Sequence, residues 1–385
     1  MNKSNIKTTK RTKSFFNSDV TTIDRQNGVE DKNGVLYSPN KKRLLKAPNS
    51  LSVYQIPEGV EVICFSAFYG CDKLTEIKLP NSLKCIGWNA FIGCSSLKSL
   101  ELPIGLKRIE GEAFYGCKSL SSLNIPSTVE YIGPNPITNC GNIVLSSDSI
   151  DYVIENDALI NRFEKRIISY LGQEKVYIMP NGIVEIERSA YNRCLSLISV
   201  KLGTDVVAIG KDAFYYCENL ESVIMSDSIV DVDQYVFCGC HKLKTVILSE
   251  KLTIISSSLF SECITLENIF LPNSITEIWS SSFENCMKLK NVRLSSNLMR
   301  ISSKAFQNCK SLKKIEFPKT LKIIEEKAFR YCSNLSEIWF YGALPVICDR
   351  AFWGCHIKDV HVVLGNGPDF QRVFRNANIH EDIIL

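Results

Sequence analysis

Cysteines in this chain fall at a fixed interval, and that interval constrains the fold more than any other feature. Cys71, Cys94, Cys117 and Cys140 are each 23 residues apart. After a gap of 54 residues, Cys194, Cys217, Cys240, Cys263, Cys286, Cys309, Cys332 and Cys355 resume the same step of 23. Twelve of the 16 cysteines therefore share one phase of one repeat. A period between about 20 and 50 residues marks an array of units that cannot bury their apolar sides alone and must stack on their neighbours.

Other positions keep the phase. An Ala-Phe pair ends three residues before the cysteine at Phe68, Phe91, Phe114, Phe214, Phe306, Phe329 and Phe352. A leucine lies three residues after it, from Leu74 to Leu335, with aliphatics six and eight after, as at Ile77 and Leu79 or Val246 and Leu248. Eight residues before it stands Ile63, Ile86, Ile109 or an equivalent aliphatic. The unit reads C-x-x-L-x-x-I-x-L-P-x-x-L-x-x-I-x-x-x-A-F-x-x. Its I-x-L segment has the period of two of a short strand with one buried face. Pro80, Pro103, Pro126, Pro272 and Pro318 follow directly, where a residue without an N–H can end a strand. The second aliphatic cluster, Leu83 to Ile86 in one unit, predicts another short extended run, after which Ala-Phe turns the chain inward. The expected architecture is a β-rich solenoid of stacked coils, with a parallel sheet on one face and short strands and turns on the other. Equivalent strands would lie about 4.8 Å apart.

The gap in the cysteine series is itself repeated. Asn33-Gly34-Val35-Leu36 through Lys42-Arg43-Leu44-Leu45 to Ile56-Pro57 aligns, at a constant offset of 123, onto Asn156-Asp157-Ala158-Leu159 through Lys165-Arg166-Ile167-Ile168 to Met179-Pro180. Both stretches read as β-hairpins. The expected organisation is a flexible basic tail (1–18, with Lys3, Lys7, Lys10, Arg11 and Lys13), an N-terminal hairpin cap (19–57) and a first repeat block (58–147). A hairpin insert (148–180), a second block (181–355) and a C-terminal cap (356–385) follow. The balance of 45 Lys plus Arg against 41 Asp plus Glu gives +4, too small for a nucleic-acid partner. No stretch approaches the roughly 18 apolar residues of a membrane span, and the first eighteen residues lack the apolar run of a secretory leader. A monomer without membrane insertion is expected.

Held in phase across these units, L-x-x-I-x-L-P-x-x-L-x-x-I-x-x-x-A-F-x-x-C resembles the repeat of the BspA-like leucine-rich-repeat family, over roughly residues 20–385. The hairpins look like that family's usual inserts. The resemblance implies a leucine-rich-repeat solenoid and a non-enzymatic binding protein of the kind displayed at bacterial or protozoan surfaces for adhesion to host proteins. It brings no catalytic residues. The abundant thiols and the missing leader point to a cytoplasmic chain; the resemblance implies the cell surface or secretion as the alternative.

Packing competes with chemistry at each reactive residue. Stacked cysteines near 4.8 Å fall inside the disulfide range, but identical inward-pointing thiols have no pairing logic, so a buried reduced ladder is expected. Cys238, Cys240 and His241, and Cys348, Cys355, His356 and His361, are close in sequence without the paired spacing of a zinc site. No metal or cofactor is expected. The four histidines, at 241, 356, 361 and 380, accompany no nucleophile elbow, phosphate loop or zinc-protease motif, so no enzyme and no catalytic residue is expected. Serine runs such as Ser256 to Ser258 and Ser280 to Ser282 read as turn residues.

The outward strand positions carry the functional expectation. Seven residues after the cysteine the row runs Lys201, Ile224, Ile247, Phe270, Arg293, Glu316 and Trp339. Ile224, Ile247 and Phe270 stand in consecutive coils and would form one apolar stripe, bracketed by Lys201 and Arg293. Such a stripe fits a protein-binding surface, although Ile and Phe also simply favour strands. The row five after the cysteine, Ser199, Ser222, Thr245, Asn268 and Asn291, would be a self-satisfying polar ladder or, together with Trp339, a carbohydrate-facing surface.

Overall fold

Each repeat closes into one coil, as its two short apolar runs and its corner dictate. In one coil, a three-residue strand Thr245–Ile247 buries its central Val246 and exposes both flanks. A two-residue strand Ile254–Ile255 follows. A corner then buries Leu259, Phe260 and Cys263 completely. The computed structural model describes residues 17–382, so the cations Lys3, Lys7, Lys10, Arg11 and Lys13 expected in a basic tail lie outside the described residues. Two compact units are present, one ending at Ile154 and the other beginning at Glu155.

In the first unit the four-residue strand Arg43–Lys46 and the two-residue strands Val62–Ile63, Cys85–Ile86, Arg108–Ile109 and Tyr131–Ile132 stack in parallel register. Two antiparallel strands, Val29–Glu30 and Leu36–Tyr37, lead into Arg43–Lys46 at the start of the sheet, and a short helix, Thr22–Asn27, precedes them with a reciprocal Thr21/Asp24 capping box. The last strand would leave open N–H and C=O groups. Tyr152 meets them: its hydroxyl accepts from the Ile132 N–H at 3.1 Å and donates to the Glu130 carbonyl at 3.3 Å.

The second unit opens similarly, on the antiparallel hairpin Ala158–Asn161 and Arg166–Tyr170. Arg166–Tyr170 then pairs in parallel with Glu185–Ile186, Ala208–Ile209 and Asp231–Val232 in turn. A second parallel run extends from Ile254–Ile255 to Val346–Ile347. At the C-terminal end, Asp359–Val363 and Asn378–Asp382 pair in parallel across the helix Gly367–Val373.

The corners explain the repeated Phe and Cys. Phe rings from successive coils stack face to face, from Phe68 through Phe114 in the first unit and from Tyr191 through Phe352 in the second, at 4.6–5.7 Å between centroids. Each thiol reaches back one coil: Cys117 Sγ donates to the Phe91 carbonyl at 3.3 Å, Cys286 to Phe260 at 3.1 Å and Cys355 to Phe329 at 3.0 Å. A cysteine is thus small enough for the corner and still supplies a weak donor to a buried carbonyl.

Each corner also holds two left-handed residues. Five before the cysteine stand Ser66, Asn89, Glu112, Tyr235, Lys304 and their equivalents, with φ between 49° and 61°. Immediately before the cysteine stand Gly70, Gly93, Gly116, Tyr216, Gly239 and Tyr331, among others, again with positive φ.

Candidate functional site

The outward face of the second unit is built from the three- to five-residue strands between Val176 and Asp382. Along it the stripe residues stand where strand alternation puts them. Lys201 is in register with Ile224, and Ile224 with Ile247. Phe270 is in register with Arg293. Ile224, Ile247 and Phe270 are 57%, 51% and 59% exposed, so no other described part of the chain covers them. Ile178, in register with Lys201 and also exposed, extends the row at its N-terminal end.

The face is not one continuous ladder. Hydrogen bonding runs from Val176–Ile178 to Thr245–Ile247, stops, joins Asn268–Phe270 to Asn291–Arg293, stops again, and resumes from Lys314–Phe317 to Asn378–Asp382. The simple stack expected from the repeat would have no such interruptions. The second one coincides with a change of side chain at an inward position, from Leu294 to Phe317. The Phe317 ring packs on Phe329, Phe340 and Phe352 at 4.8–6.4 Å and fills the interior more than leucine would.

An open groove of about 840 Å³ lies at this interruption. Its floor includes Val292 and Leu294, which are half-buried where the equivalent residues of most other coils are buried. Its walls carry Lys290, Arg293, Lys313 and Lys314 against the single carboxylate of Glu316, and Phe270 forms part of the rim. Lys290 pairs with Glu267 at 3.0 Å, and Lys314 with Glu316 and Glu337 at 3.1 and 3.3 Å. Desolvation pulls the Lys314 ammonium down, but its two carboxylate partners outweigh this and raise it above the ordinary lysine value. Among the described residues, no carboxylate lies within ion-pair distance of Arg293 or Lys313.

Trp339 is half-buried rather than free. His361 stacks on it at 3.8 Å, almost parallel, and His380 stacks on His361 at 4.7 Å. The Lys314 ammonium sits 4.6 Å from the Trp339 ring centroid, on the side His361 leaves open. The indole N–H donates to Glu337 at 2.6 Å, which with Lys314 holds that carboxyl below the ordinary range. His380 Nε2 meets Asp359 at 2.9 Å. In the neighbouring row Asn291 donates to Asn268 at 2.6 Å, so these two amides satisfy each other. Among the described residues, no three His, Cys, Asp or Glu side chains converge as metal ligands. No helix among them is long and apolar enough to cross a membrane.

The family model for the BspA type leucine rich repeat region matches residues 43–158, 170–286 and 253–377. The chain belongs to the BspA-type leucine-rich-repeat family. A leucine-rich repeat protein from Bacteroides ovatus ATCC 8483 is 26% identical, with 92% of this chain and 90% of that one covered and a TM-score of 0.62. Another, from Eubacterium ventriosum ATCC 27560, shares the fold at 20% identity, a TM-score of 0.65 and coverage of 86% and 93%. A leucine rich cell surface protein from Faecalibacterium prausnitzii A2-165 is 24% identical, with 74% of this chain and 84% of that one covered and a TM-score of 0.45. No curated protein matches this BspA-type chain in sequence.

The outward row is legible in the sequence of this BspA-type solenoid, and the groove is not. Arg293 stands out there only as a bracket to the stripe, and Lys313 lies outside the I-x-L segment. What joins them is the interruption between two coils, for which the repeat phase gives no signal.

Proposed function

We propose that this chain is a non-enzymatic protein-binding scaffold that presents the outward sheet of its second unit to a protein partner. The observation that carries this reading is the uncovered stripe of Ile224, Ile247 and Phe270 on short, hydrogen-bonded strands. Contiguous exposed apolar surface with a polar rim is typical of an interaction site. Strands fixed by stacking lose little freedom on binding, so more of the contact energy appears as affinity. The alternative of a sugar platform at Trp339 finds less support, because His361 and Lys314 already occupy the faces on which a sugar ring would stack.

Phe270→Asp tests the reading. It puts a charge at the C-terminal end of the stripe without touching the core, and capture of protein partners from extracts of the source organism should fall about tenfold or more, with the thermal melt unchanged. Capture equal to that of the unaltered chain would contradict the assignment. The buried thiols fit a reducing compartment. Protease treatment of intact cells should then leave the chain whole, and its loss would place it on the surface.

A further inference from the structure

The groove beside Phe270 combines two features that the stripe alone lacks. Its floor is apolar, because Val292 and Leu294 show through where the ladder is interrupted. Its wall holds two cations, Arg293 and Lys313, without an acidic neighbour in ion-pair distance among the described residues, while the nearby Lys290 and Lys314 are each already neutralised. An uncompensated charge pair beside an apolar floor suits a ligand that brings both carboxylates and aliphatic side chains.

We propose that the groove receives an acidic peptide segment of the partner, its carboxylates on Arg293 and Lys313 and its apolar side chains over Val292, Leu294 and Phe270. This deepens the proposed function and rests on it for the identity of the face. An extended chain exposes alternate side chains to opposite sides, so a segment alternating acidic and apolar residues can place the two kinds on different walls. Arginine offers a planar fork that matches a carboxylate with two parallel hydrogen bonds, which gives the contact geometry as well as charge. A sulfated glycan would also satisfy the cations, but it has no aliphatic groups to fill the floor. The apolar lining therefore favours a peptide.

The experiment uses the full chain and a short fluorescein-labelled peptide of alternating Glu and Leu, read by fluorescence anisotropy. A matched peptide of alternating Gln and Leu is the neutral control, and a heparin fragment is the competitor. The Glu peptide should bind saturably and weaken as salt is raised to about 0.5 M. The Gln peptide should bind at least roughly tenfold more weakly. Arg293→Glu with Lys313→Glu should abolish the preference, as should the milder Arg293→Gln with Lys313→Gln, whereas Lys251→Glu on a remote turn should leave it intact. Equal binding of the two peptides, binding undiminished in the double variants, or heparin outcompeting the Glu peptide at equal charge would overturn the proposal. If the peptide fails while Phe270→Asp still abolishes partner capture, this assignment falls and the docking face stands.

Discussion

Gly239 has a φ of 74°, and a Cβ built on it would lie 2.6 Å from the ring of Tyr216. That ring crosses over the glycine, and its hydroxyl donates to Glu262, two coils on, at 2.8 Å. Gly70 has nearly the same φ, 71°, but its nearest neighbour is the Asn49 side-chain amide at 3.8 Å. The two glycines separate backbone strain from steric exclusion. Gly70→Ala should cost about 1 kcal/mol, the usual strain of a left-handed alanine. Gly239→Ala should cost at least about 1 kcal/mol more, because Tyr216 must move as well. Thermal denaturation of the two variants decides it, and equal losses would mean that the tyrosine adjusts freely. The sequence shows mostly Gly and Asn at this position, with Tyr, Arg or Glu in the other coils, a mixture that marks a turn. It gives less warning of the other left-handed position, where Asn or Asp stands in three coils but Ser66, Glu112, Tyr235 and Lys304 are not residues that announce positive φ. Stacking on both sides over-determines those backbones.

The corner as a whole is the element that the 23-residue period encodes most legibly. Phase alone places Phe and Cys inside, since only a shared environment would preserve them coil after coil. The period does not reveal why the residue is cysteine, because the Sγ-to-carbonyl bond joins two coils, as from Cys117 to Phe91. Burial pushes these thiols up, Cys71 to about 11 and Cys140 to about 12. A folded-state pKa above the unfolded value of about 8.5 means that the thiol contribution to stability is complete below that value and is lost as pH rises through the folded pKa. The melting temperature should therefore fall progressively above about pH 8.5, while iodoacetamide at neutral pH should modify the half-buried Cys348, outside the column, faster than any thiol of the column. Rapid modification of all 16 cysteines in the native chain would contradict the buried column. The outward strands are legible too, but their interruptions are not. The break beside Arg293 coincides with the change from Leu294 to the larger Phe317 ring, a packing difference whose effect on the ladder leaves no trace in the strand pattern.

At the scale of the molecule, the same logic appears in both units: an antiparallel hairpin starts a parallel sheet, and coils add to it by repeating one corner. The constant offset of 123 residues between the hairpin segments carries that recurrence in the residue order itself. The surfaces diverge because outward side chains are free of the packing that fixes inward ones. At that offset Lys78, Glu101 and Asn124 of the first unit correspond to Lys201, Ile224 and Ile247 of the second, so the second unit carries the apolar stripe. The direct measurement is to replace Phe270, on the outward sheet, or Trp279, beside the two-residue strand Glu277–Ile278 of the same coil, with a photo-reactive benzoylphenylalanine and to irradiate the chain with its captured partner. The partner should crosslink through position 270 and not through position 279. Crosslinking through position 279 alone would mean that the opposite side of the coil does the binding.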